Sequence, residues 1–389
     1  MSSQHCAAVV GVGMIGAVHA AAIRSSGGTV RGVLASSAQR SVQVAEEWDA
    51  PIGYPDFEAV LGDDRIDVVH ICTPNALHAH QTEAALRAGK HVVCEKPMAT
   101  SVADAERVTR LAQAKGLVLA VPFAYRYHPL VHEIRARRLA GEFGGWQVLH
   151  GSYLQDWMLD QAATSWRVDP VAGGASRAFA DIGSHWCDLV EWVAGVRFTE
   201  VVARFGTTIG MRPRGTAASF SGVGAGESPD EPTVLAPVET EDVAALLLRT
   251  AEGVLATLTV SQVSAGRKNR LWFELDGSRA SAVFDQERPE EVWLGGVEES
   301  RVIVRDPDHG SGAQRRLSRL PAGHGLGYVD CFRAFVADAY AAIDAAPPDG
   351  LPTGVDGLRS ARLVDAVLRS HAVSAWTRID TASHLESTT

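Results

Sequence analysis

Cysteine, excess basic charge and long apolar runs are all scarce in this chain, and each shortage argues against a class of protein. The five cysteines are odd in number and mostly lie in apolar runs, so we expect reduced thiols and a cytoplasmic location. The formal net charge of -10 argues against a nucleic-acid or anionic-membrane partner. No stretch approaches the length of a membrane-spanning helix, and the first residues lack the pattern of a signal peptide.

The remaining composition is that of a soluble globular protein. Hydrophobic residues make up 46% and charged residues 21% of the 389 positions, which suits two domains, possibly three, with a sizeable core. In the first 124 residues, short apolar runs alternate with helical patterns. This alternation predicts an α/β domain with a parallel sheet, its strands joined by right-handed crossovers.

A glycine motif, Gly11-Val12-Gly13-Met14-Ile15-Gly16, lies between the first predicted strand and the first predicted helix. Gly11 and Gly13 permit a tight turn and a close approach of the main chain to a pyrophosphate, while Gly16 lets the helix pack on the strand. The helix that includes Met14 and Ile15 would point its free amides at the anion. The spacing alone is unspecific, but this context predicts a dinucleotide-binding Rossmann domain over residues 1–124.

The end of the second predicted strand bears on the choice between NAD and NADP. An NAD enzyme usually has Asp or Glu there, and this chain has Ala35 instead. Ser36 and Ser37 can donate to a 2′-phosphate, and Arg40 can pair with it, so the sequence favours NADP. In the alternative, the serines only begin a helix, Arg40 is solvated and the site accepts NAD.

Beyond residue 124 the pattern changes to strands separated by short turns. Strands are predicted at 254–262, 270–276, 281–286, 292–294 and 302–305, and helices at 182–194, 328–342 and 355–375. We expect a substrate-binding and oligomerisation domain over 125–389, with an open, mainly antiparallel sheet and helices on one face. A second copy of the chain is the usual cover for the other face, so at least a dimer is expected. The stretch at 210–237 is expected to be a surface excursion.

Four short motifs together resemble one known family. They are the glycine motif, Thr73-Pro74-Asn75 followed by His78, Glu95-Lys96-Pro97, and the block from Asp181 to His185. This set is similar to the glucose-fructose oxidoreductase/inositol dehydrogenase (Gfo/Idh/MocA) family, most closely over residues 9–195. The resemblance implies NAD(P)-dependent redox chemistry on a sugar or cyclitol, in homodimers or homotetramers. It also implies that Thr73, Pro74, Asn75 and His78 line the cofactor groove and that Glu95 holds the nicotinamide ribose region.

The substrate residues are suggested partly by the same resemblance. Tyr125 and Arg126 resemble the family's entry to the second domain, near the nicotinamide. Tyr153-Leu154-Gln155-Asp156-Trp157 and Ser165-Trp166-Arg167 look like the stretches of members that oxidise pyranosides or anhydrosugars. Such a mixture of aromatic rings and a carboxylate suits sugar stacking and hydroxyl binding. In the alternative, the tryptophans lie in the core or at a dimer contact.

The residues also indicate how the reaction would proceed. When a secondary alcohol gives up its hydride, its hydroxyl loses a proton, so a base and a positive group are needed at the oxygen. Histidine titrates near neutrality, so His185 suits the base, and Asp181 would lie beside it on a helix. Lys96 ends a predicted strand, so its ammonium would reach the carboxyl edge of the sheet and stabilise the developing alkoxide.

Helical spacing separates two sets of side chains around His185. At about 100° per residue, the apolar set faces inward and comprises Ile182, Trp186, Leu189, Val190 and Val193. Asp181, His185 and Asp188 form a neighbouring polar stripe that we expect to face a cavity. Without the lysine motif, such a stripe would more often be a solvated helix face.

Two other functions fit part of the pattern. Some relatives use a bound nicotinamide to cleave glycosides by oxidation, elimination and re-reduction. A non-catalytic nucleotide-sensing regulator on this fold is the second, but it would not need Lys96, Asp181 and His185 together. His128 and His132 have the spacing of metal ligands but no third ligand in the sequence, so we expect surface residues and no metal.

Overall fold

The computed structural model describes residues 5–213 and 234–380, which form two compact units. The first unit contains the described residues up to Ala124 together with Val329–Ala361. The second contains those of Tyr125–Tyr328 together with those from Arg362 onward. Positions 214–233 of the predicted surface excursion lie outside the described residues. No helix in the described ranges has both the length and the apolar character that crossing a membrane requires.

The first unit is built on six short, largely apolar strands. With the helices between them, they run β1 Cys6–Val10, α1 Met14–Ser25, β2 Thr29–Leu34, α2 Ala38–Glu47, β3 Ile52–Gly53, α3 Phe57–Leu61, β4 Val68–Ile71, α4 Asn75–Arg87, β5 His91–Cys94, α5 Val102–Lys115 and β6 Leu119–Ala120. They form one parallel sheet in the order β3-β2-β1-β4-β5-β6. Parallel strands are buried on both faces, which explains the continuous apolar runs. The order is that of a Rossmann fold, which confirms the predicted class.

The second unit has a large sheet with helices against one face. Its elements up to residue 317 are α6 Pro129–Leu139, β7 Trp146–Leu154, α7 Pro170–Gly173, α8 Ser184–Ala194, β8 Phe198–Gly206, β9 Met211–Pro213, β10 Leu235–Pro237, β11 Val243–Thr250, β12 Leu255–Ser261, β13 Arg270–Gly277, β14 Ala280–Asp285, β15 Glu291–Gly296, β16 Ser300–Val304 and α9 Gly312–Leu317. Three elements follow in the chain. Apart from its first residue, α10 Tyr328–Asp344 groups with the first unit, α11 Gly354–Val373 is divided between the units after Ala361, and β17 Thr377–Arg378 belongs to the second.

Nine strands form this sheet in the order β16-β15-β14-β13-β7-β12-β11-β8-β17. Among the described strands of this sheet, β7 and β12 pair in parallel and the other neighbours pair antiparallel, so the sheet is mixed and mainly antiparallel. Along β11 and β12 buried and more exposed residues alternate, as expected when one face packs on a core. That core joins the sheet to α8 and to the later turns of α11, for example through Trp186, Leu258 and Val367.

The structure differs from the sequence analysis in the domain boundary and in several elements of the second unit. Residues 125–389 do not stay together, because Val329–Ala361 group with the first unit. There Tyr340 on α10 bonds to His70 on β4, and Leu358 on α11 joins the apolar core. The elements β7, β8, β11 and α6 were not predicted, and in the central strand β7 the alternation is interrupted at Gly151. A side chain would not fit there, because a Cβ on Gly151 would lie 2.4 Å from the Trp186 indole nitrogen.

Candidate active site

The glycine motif forms the turn between β1 and α1, and two of its glycines are required by space. Gly11 has a φ of 94°, and a Cβ on it would lie 2.4 Å from the carbonyl oxygen of Cys72. A Cβ on Gly16 would lie 2.1 Å from the carbonyl oxygen of Gly11. Any larger residue at either position would force the main chain apart, so the tight turn predicted from the sequence depends on both glycines.

Gly13 differs from these two because it borders open space. A Cβ on Gly13 would meet no described atom within 4 Å. Gly13 is also the N-cap of α1, and no side chain in the described part of the chain caps the helix there. The first turn, with Met14 and Ile15, therefore presents main-chain amides and the positive end of the helix dipole to this space. These features fit the pyrophosphate of a dinucleotide.

At the end of β2, the residues predicted to bind phosphate are either bonded to other protein groups or exposed to solvent. Ser37 caps α2, its hydroxyl accepting a 3.2 Å hydrogen bond from the Arg40 amide. The Arg40 guanidinium lies 3.0 Å from the Glu47 carboxylate, and both side chains are about half exposed. Ser36 is exposed. The position that usually carries the acid of an NAD enzyme is Ala35, so the strand end offers no carboxylate.

His78 is buried and ties together the loops that follow β4 and β5. Its Nε2 lies 2.7 Å from the carbonyl oxygen of Thr73, and its Nδ1 lies 2.7 Å from that of Pro97. Thr73 also donates its hydroxyl to Gln81 at 2.7 Å. Asn75 begins α4 directly after Pro74. His78 thus holds the main chain on either side of the predicted groove, whereas its predicted contact with the cofactor remains a prediction.

Glu95 and Lys96 follow β5 at the carboxyl edge of the sheet. Glu95 is buried, and its carboxylate accepts hydrogen bonds from His19 Nε2 at 3.1 Å and from the Lys96 amide at 3.0 Å. Burial raises the pKa of Glu95, but the His19 hydrogen bond and the charge of Lys96 outweigh it, so the pKa is lowered. Lys96 itself is partly exposed. Glu95 is therefore held as a carboxylate.

In the second unit, Asp181 and His185 lie where a π-helical turn, Phe179–Gly183, runs into α8. Such turns interrupt regular helices and often mark functional sites. Both side chains are buried, each about 8% exposed, so the polar stripe predicted from the sequence is not a solvated helix face. The Glu241 carboxylate fixes the start of the turn, accepting from the amides of Arg177 at 3.0 Å and Phe179 at 2.9 Å.

The Asp181 carboxylate is oriented by two side chains distant in sequence. Gln262 donates its side-chain amide to one carboxylate oxygen at 2.9 Å. The Arg167 Nε lies 3.5 Å from the other oxygen. Arg167 was predicted to contact substrate, and the structure places it beside a predicted catalytic residue. Gln262 was missed by the sequence analysis, because a lone glutamine after a strand carries no motif.

His185 lies against two tyrosines that form a closed ring of hydrogen bonds with Asn269. Its imidazole packs edge-on to Tyr125, with ring centroids 4.8 Å apart, and lies 6.4 Å from the Tyr153 ring. Asn269 donates to the Tyr125 hydroxyl at 3.3 Å, and Tyr153 donates to the Asn269 carbonyl at 2.7 Å. The two hydroxyls are 2.6 Å apart, so the Tyr125 hydroxyl completes the ring by donating to that of Tyr153. Asn269 was also missed.

This ring bears on the choice of base. Burial, together with the nearby Tyr125, raises the pKa of Tyr153 well above its ordinary value. The negative charge of the Asp181 carboxylate makes a smaller contribution to the raised pKa of Tyr153. A phenol that holds its proton so firmly is a poor proton acceptor at neutral pH. Of the buried groups around this ring, His185 is the better candidate for the base.

The predicted sugar-stacking residues extend the same network. Gln155 donates to Asn269 at 2.8 Å and accepts from the Trp157 indole at 2.9 Å. The Arg167 guanidinium carbon lies 4.4 Å from the centre of the Trp166 ring and 6.0 Å from that of Trp157. Both tryptophans are only partly buried, so neither is a core residue. The structure therefore brings Trp157, Trp166 and Arg167 together beside Asp181.

Two other predicted substrate residues are engaged inside the unit. Arg126 is buried, and its Nε donates to the Asp188 carboxylate at 2.8 Å. Asp188 was expected to face a cavity and instead holds this guanidinium. Lys268 lies 2.7 Å from the Asp156 carboxylate and lowers the pKa of that group. Substrate contacts of Arg126 and Asp156 remain predictions.

The interpretation of two other histidines was wrong. His128 and His132 are buried, not on the surface, because the 3₁₀ turn Ala124–Tyr127 and α6 pack them among aromatic rings. Burial lowers the pKa of His128 to about 4. A different group, His150, Glu274 and Asp276, brings potential metal-binding atoms within 4.8 Å of one another on β7 and β13.

Comparison with known proteins agrees with this geometry. The model of the oxidoreductase family with an NAD-binding Rossmann fold matches residues 6–123. The Gfo/Idh/MocA C-terminal domain matches residues 131–283. The chain belongs to the Gfo/Idh/MocA family. Its Rossmann unit is therefore an NAD-binding domain, and the resemblance stated from the motifs is confirmed.

Several proteins in this family are similar over most of the chain. Levoglucosan dehydrogenase of Pseudarthrobacter phenanthrenivorans is 31% identical over 357 residues, 89% of each chain. D-xylose 1-dehydrogenase (NADP+) 2 of Haloferax volcanii is 28% identical over 68% of this chain and 78% of its own. The structure of levoglucosan dehydrogenase in complex with NADH and L-sorbose is 26% identical, with a TM-score of 0.88 over 98% of this chain and all of the other.

Proposed function

We propose that this protein is an NAD(P)-dependent dehydrogenase that oxidises a secondary alcohol of a sugar, or reduces the corresponding ketone. One observation carries the proposal, namely that Asp181 and His185 are buried together at a helix irregularity beside the Tyr125–Tyr153–Asn269 ring. The first unit adds an uncapped helix N-terminus behind the glycine motif, which suits a dinucleotide. When bound, the nicotinamide would accept or supply the hydride.

Each polar group has a role that its surroundings support. His185 takes the hydroxyl proton during oxidation, and the nearby Asp181 carboxylate favours the imidazolium that results. Gln262 and Arg167 hold Asp181 in its orientation. Lys96 supplies the positive charge at the reacting oxygen and stabilises the alkoxide. The Tyr153 hydroxyl remains protonated and orients Asn269.

We further propose that the substrate is a pyranoside or an anhydrosugar. The support is the partly buried group of Trp157, Trp166 and Arg167 beside Asp181, which offers aromatic faces and a guanidinium to a hydroxylated ring. A levoglucosan dehydrogenase is among the similar proteins. The test is steady-state turnover on a panel of anhydrosugars, glycosides, aldoses and cyclitols with NAD and NADP. Anhydrosugars or pyranosides should give the highest kcat/KM. Turnover confined to cyclitols or open-chain polyols would reject this substrate class.

NADP is proposed as the preferred cofactor, on the basis of Ala35 and the neighbouring Arg40. Binding of the 2′-phosphate would require Arg40 to exchange Glu47 for the phosphate, which is feasible because their ion pair is exposed and therefore weak. Fluorescence titration with NADPH and NADH tests this. Arg40→Ala should weaken NADPH binding and leave NADH binding unchanged. Equal affinity for the two cofactors in the unaltered protein would contradict the preference.

A homodimer or homotetramer in the cytoplasm completes the proposal. The sheet of the second unit leaves apolar side chains exposed on its strands, including Leu255, Trp293, Val302 and Val304. Exposed apolar area of this kind is typical of an interface. Light scattering coupled to gel filtration would measure the mass of the assembly, and a monomer at micromolar concentration would contradict this part of the proposal.

A further inference from the structure

Two buried histidines in the first unit have no part in the function proposed so far. His19 on α1 and His70 on β4 are fully inaccessible to solvent, and their Nδ1 atoms are 2.8 Å apart. At its other end, His19 Nε2 lies 3.1 Å from the Glu95 carboxylate. His70 Nε2 lies 2.9 Å from the hydroxyl of Tyr340 on α10. The four side chains form one continuous line of three hydrogen bonds.

With both histidines neutral, the number of donors fixes the direction of every bond in this line. A carboxylate only accepts, so His19 must carry its proton on Nε2 and donate to Glu95. A neutral His19 then accepts at Nδ1, which requires His70 to carry its proton on Nδ1. His70 therefore accepts at Nε2, and the Tyr340 hydroxyl must donate to it. When both histidines are neutral and Glu95 is ionised, only one placement of the protons satisfies all three hydrogen bonds.

The surroundings of His70, Tyr340 and Glu95 are consistent with that arrangement. Burial holds the pKa of His70 well below its ordinary value, so His70 is neutral. Burial raises the pKa of Tyr340, so its hydroxyl keeps the proton that it donates. The pKa of Glu95 is lowered in spite of its burial, chiefly by the His19 hydrogen bond. The line therefore runs from a phenol that donates to a carboxylate that only accepts.

The far oxygen of Glu95 connects this line to the lysine motif. Glu95 Oε2 accepts a hydrogen bond from the Lys96 amide at 3.0 Å, while Oε1 accepts from His19. A carboxylate held at both oxygens cannot rotate without breaking one of the bonds. The main chain of Lys96 is thus fixed by a side chain that is itself fixed by three buried residues.

We propose that Tyr340, His70 and His19 form a one-way hydrogen-bond relay that positions Glu95 and, through it, the main chain of Lys96. The effect on catalysis rests on the function proposed above, in which Lys96 acts at the reacting oxygen. The three are positioning residues, and none of them lies in the motifs of the lysine or the glycine turn. The helix α10 groups with the first unit, and through Tyr340 it would help to position Lys96 in that unit.

The relay makes a spectroscopic prediction that requires no substrate. Nitrogen NMR of isotope-labelled protein should show His19 in the Nε2–H form and His70 in the Nδ1–H form. A coupling through the hydrogen bond should connect the two Nδ1 nuclei. The opposite tautomer on either ring, or the absence of that coupling in well-resolved spectra, would overturn the relay.

The positioning role is tested by a matched pair of tyrosine variants. Tyr340→Phe removes the hydroxyl that begins the relay, whereas Tyr54→Phe removes a buried hydroxyl of the same unit that donates to Asp63 at 2.8 Å. Only Tyr340→Phe should shift the Lys96 amide resonance. It should also lower kcat about two- to tenfold, the effect of losing one neutral hydrogen bond, with the Kd for NADPH unchanged. Equal effects of the two variants, or no shift at Lys96, would reject positioning.

A second pair addresses His19 directly. His19→Leu removes both of its bonds and should lower kcat by roughly tenfold to a hundredfold, as expected for a misplaced catalytic group. His19→Gln keeps a donor for Glu95 and should recover most of that loss. If the wild-type protein oxidises none of the sugars tested, the proposed function fails, while the tautomers and the Lys96 amide shift still decide the relay.

Discussion

The two proposed sites, one in each unit, differ in the kind of group that they would offer to a ligand. In the first, the cradle is mostly main chain, formed by the amides of the α1 first turn and by glycines that exclude side chains. In the second, it is side chains, with Asp181, His185 and the hydrogen-bonded ring of Tyr125, Tyr153 and Asn269. A main-chain cradle suits a group common to many enzymes, whereas a side-chain network can be adapted to one substrate.

The difference also concerns tolerance to change. A main-chain site loses its ligand when a new side chain fills the space, because substitution leaves the amide donors themselves in place. A side-chain site fails when a particular functional group is removed, and the loss depends on what that group does. The comparison can therefore be tested with two kinds of substitution. One kind fills space in the first unit, and the other deletes functional groups in the second.

The largest effect is expected at the proposed base. His185→Ala should lower kcat by roughly 10² to 10⁴, the usual span for a positioned acid–base group. Asp181→Asn should cost less, because the amide keeps the shape and loses only the charge. The double variant should lose far less than the product of the two effects, since the residues act as a unit. Steady-state kinetics of the three variants checks this, and near-normal turnover in His185→Ala would remove the base from this position.

Lys96 tests whether the first unit contributes a side chain to the chemistry as well as a cradle. Lys96→Ala should lower kcat about a hundredfold or more, as the loss of one electrostatic stabiliser does. The Kd for the cofactor should stay close to that of the unaltered protein. Lys115→Ala is the control, because that exposed lysine bonds only to a main-chain carbonyl in the described part of the chain. Retention of more than about a tenth of kcat would contradict the role.

Gly13 and Gly16 separate ligand space from protein space within one motif. Gly13→Ala should fold normally and weaken cofactor binding roughly fivefold to a hundredfold, because a methyl group would enter the open space that the pyrophosphate needs. Gly16→Ala should instead lower the melting temperature, because its Cβ would lie 2.1 Å from a main-chain oxygen. Calorimetry and cofactor titration of both variants measure the two effects. Unchanged cofactor affinity in Gly13→Ala would place the pyrophosphate elsewhere.

The smallest effect is expected at Tyr153. Tyr153→Phe breaks the ring at two bonds and should reduce kcat/KM by about two- to tenfold. Because the pKa of Tyr153 is raised well above its ordinary value, the hydroxyl stays protonated as the pH rises to the range where exposed tyrosines ionise. Ionisation of Tyr153 should therefore cause no alkaline loss of activity. The check is the pH profile of kcat/KM for the wild-type protein and the variant, and an alkaline loss that disappears in Tyr153→Phe would contradict the raised pKa.

The sequence allowed more of the first unit to be predicted than of the second. Its strands are continuous apolar runs and its glycine turn is a contiguous motif. Most of the strands and the turn could therefore be predicted from local spacing. Asn269 and Gln262 could not be predicted, because only the folded sheet brings them to Tyr153 and Asp181. The return of α10 to the first unit was missed for the same reason, since the bond between Tyr340 and His70 joins residues 270 positions apart.

The most direct test of the proposed chemistry follows the hydrogen atom itself. The protein is incubated with oxidised cofactor and a sugar deuterated at the oxidised carbon, and both products are analysed by mass spectrometry. We predict one deuterium on the reduced nicotinamide for each ketone formed. Cleavage of a glycoside with deuterium returned to the sugar, and with no net reduced cofactor, would contradict a dehydrogenase and favour the oxidation–elimination reaction.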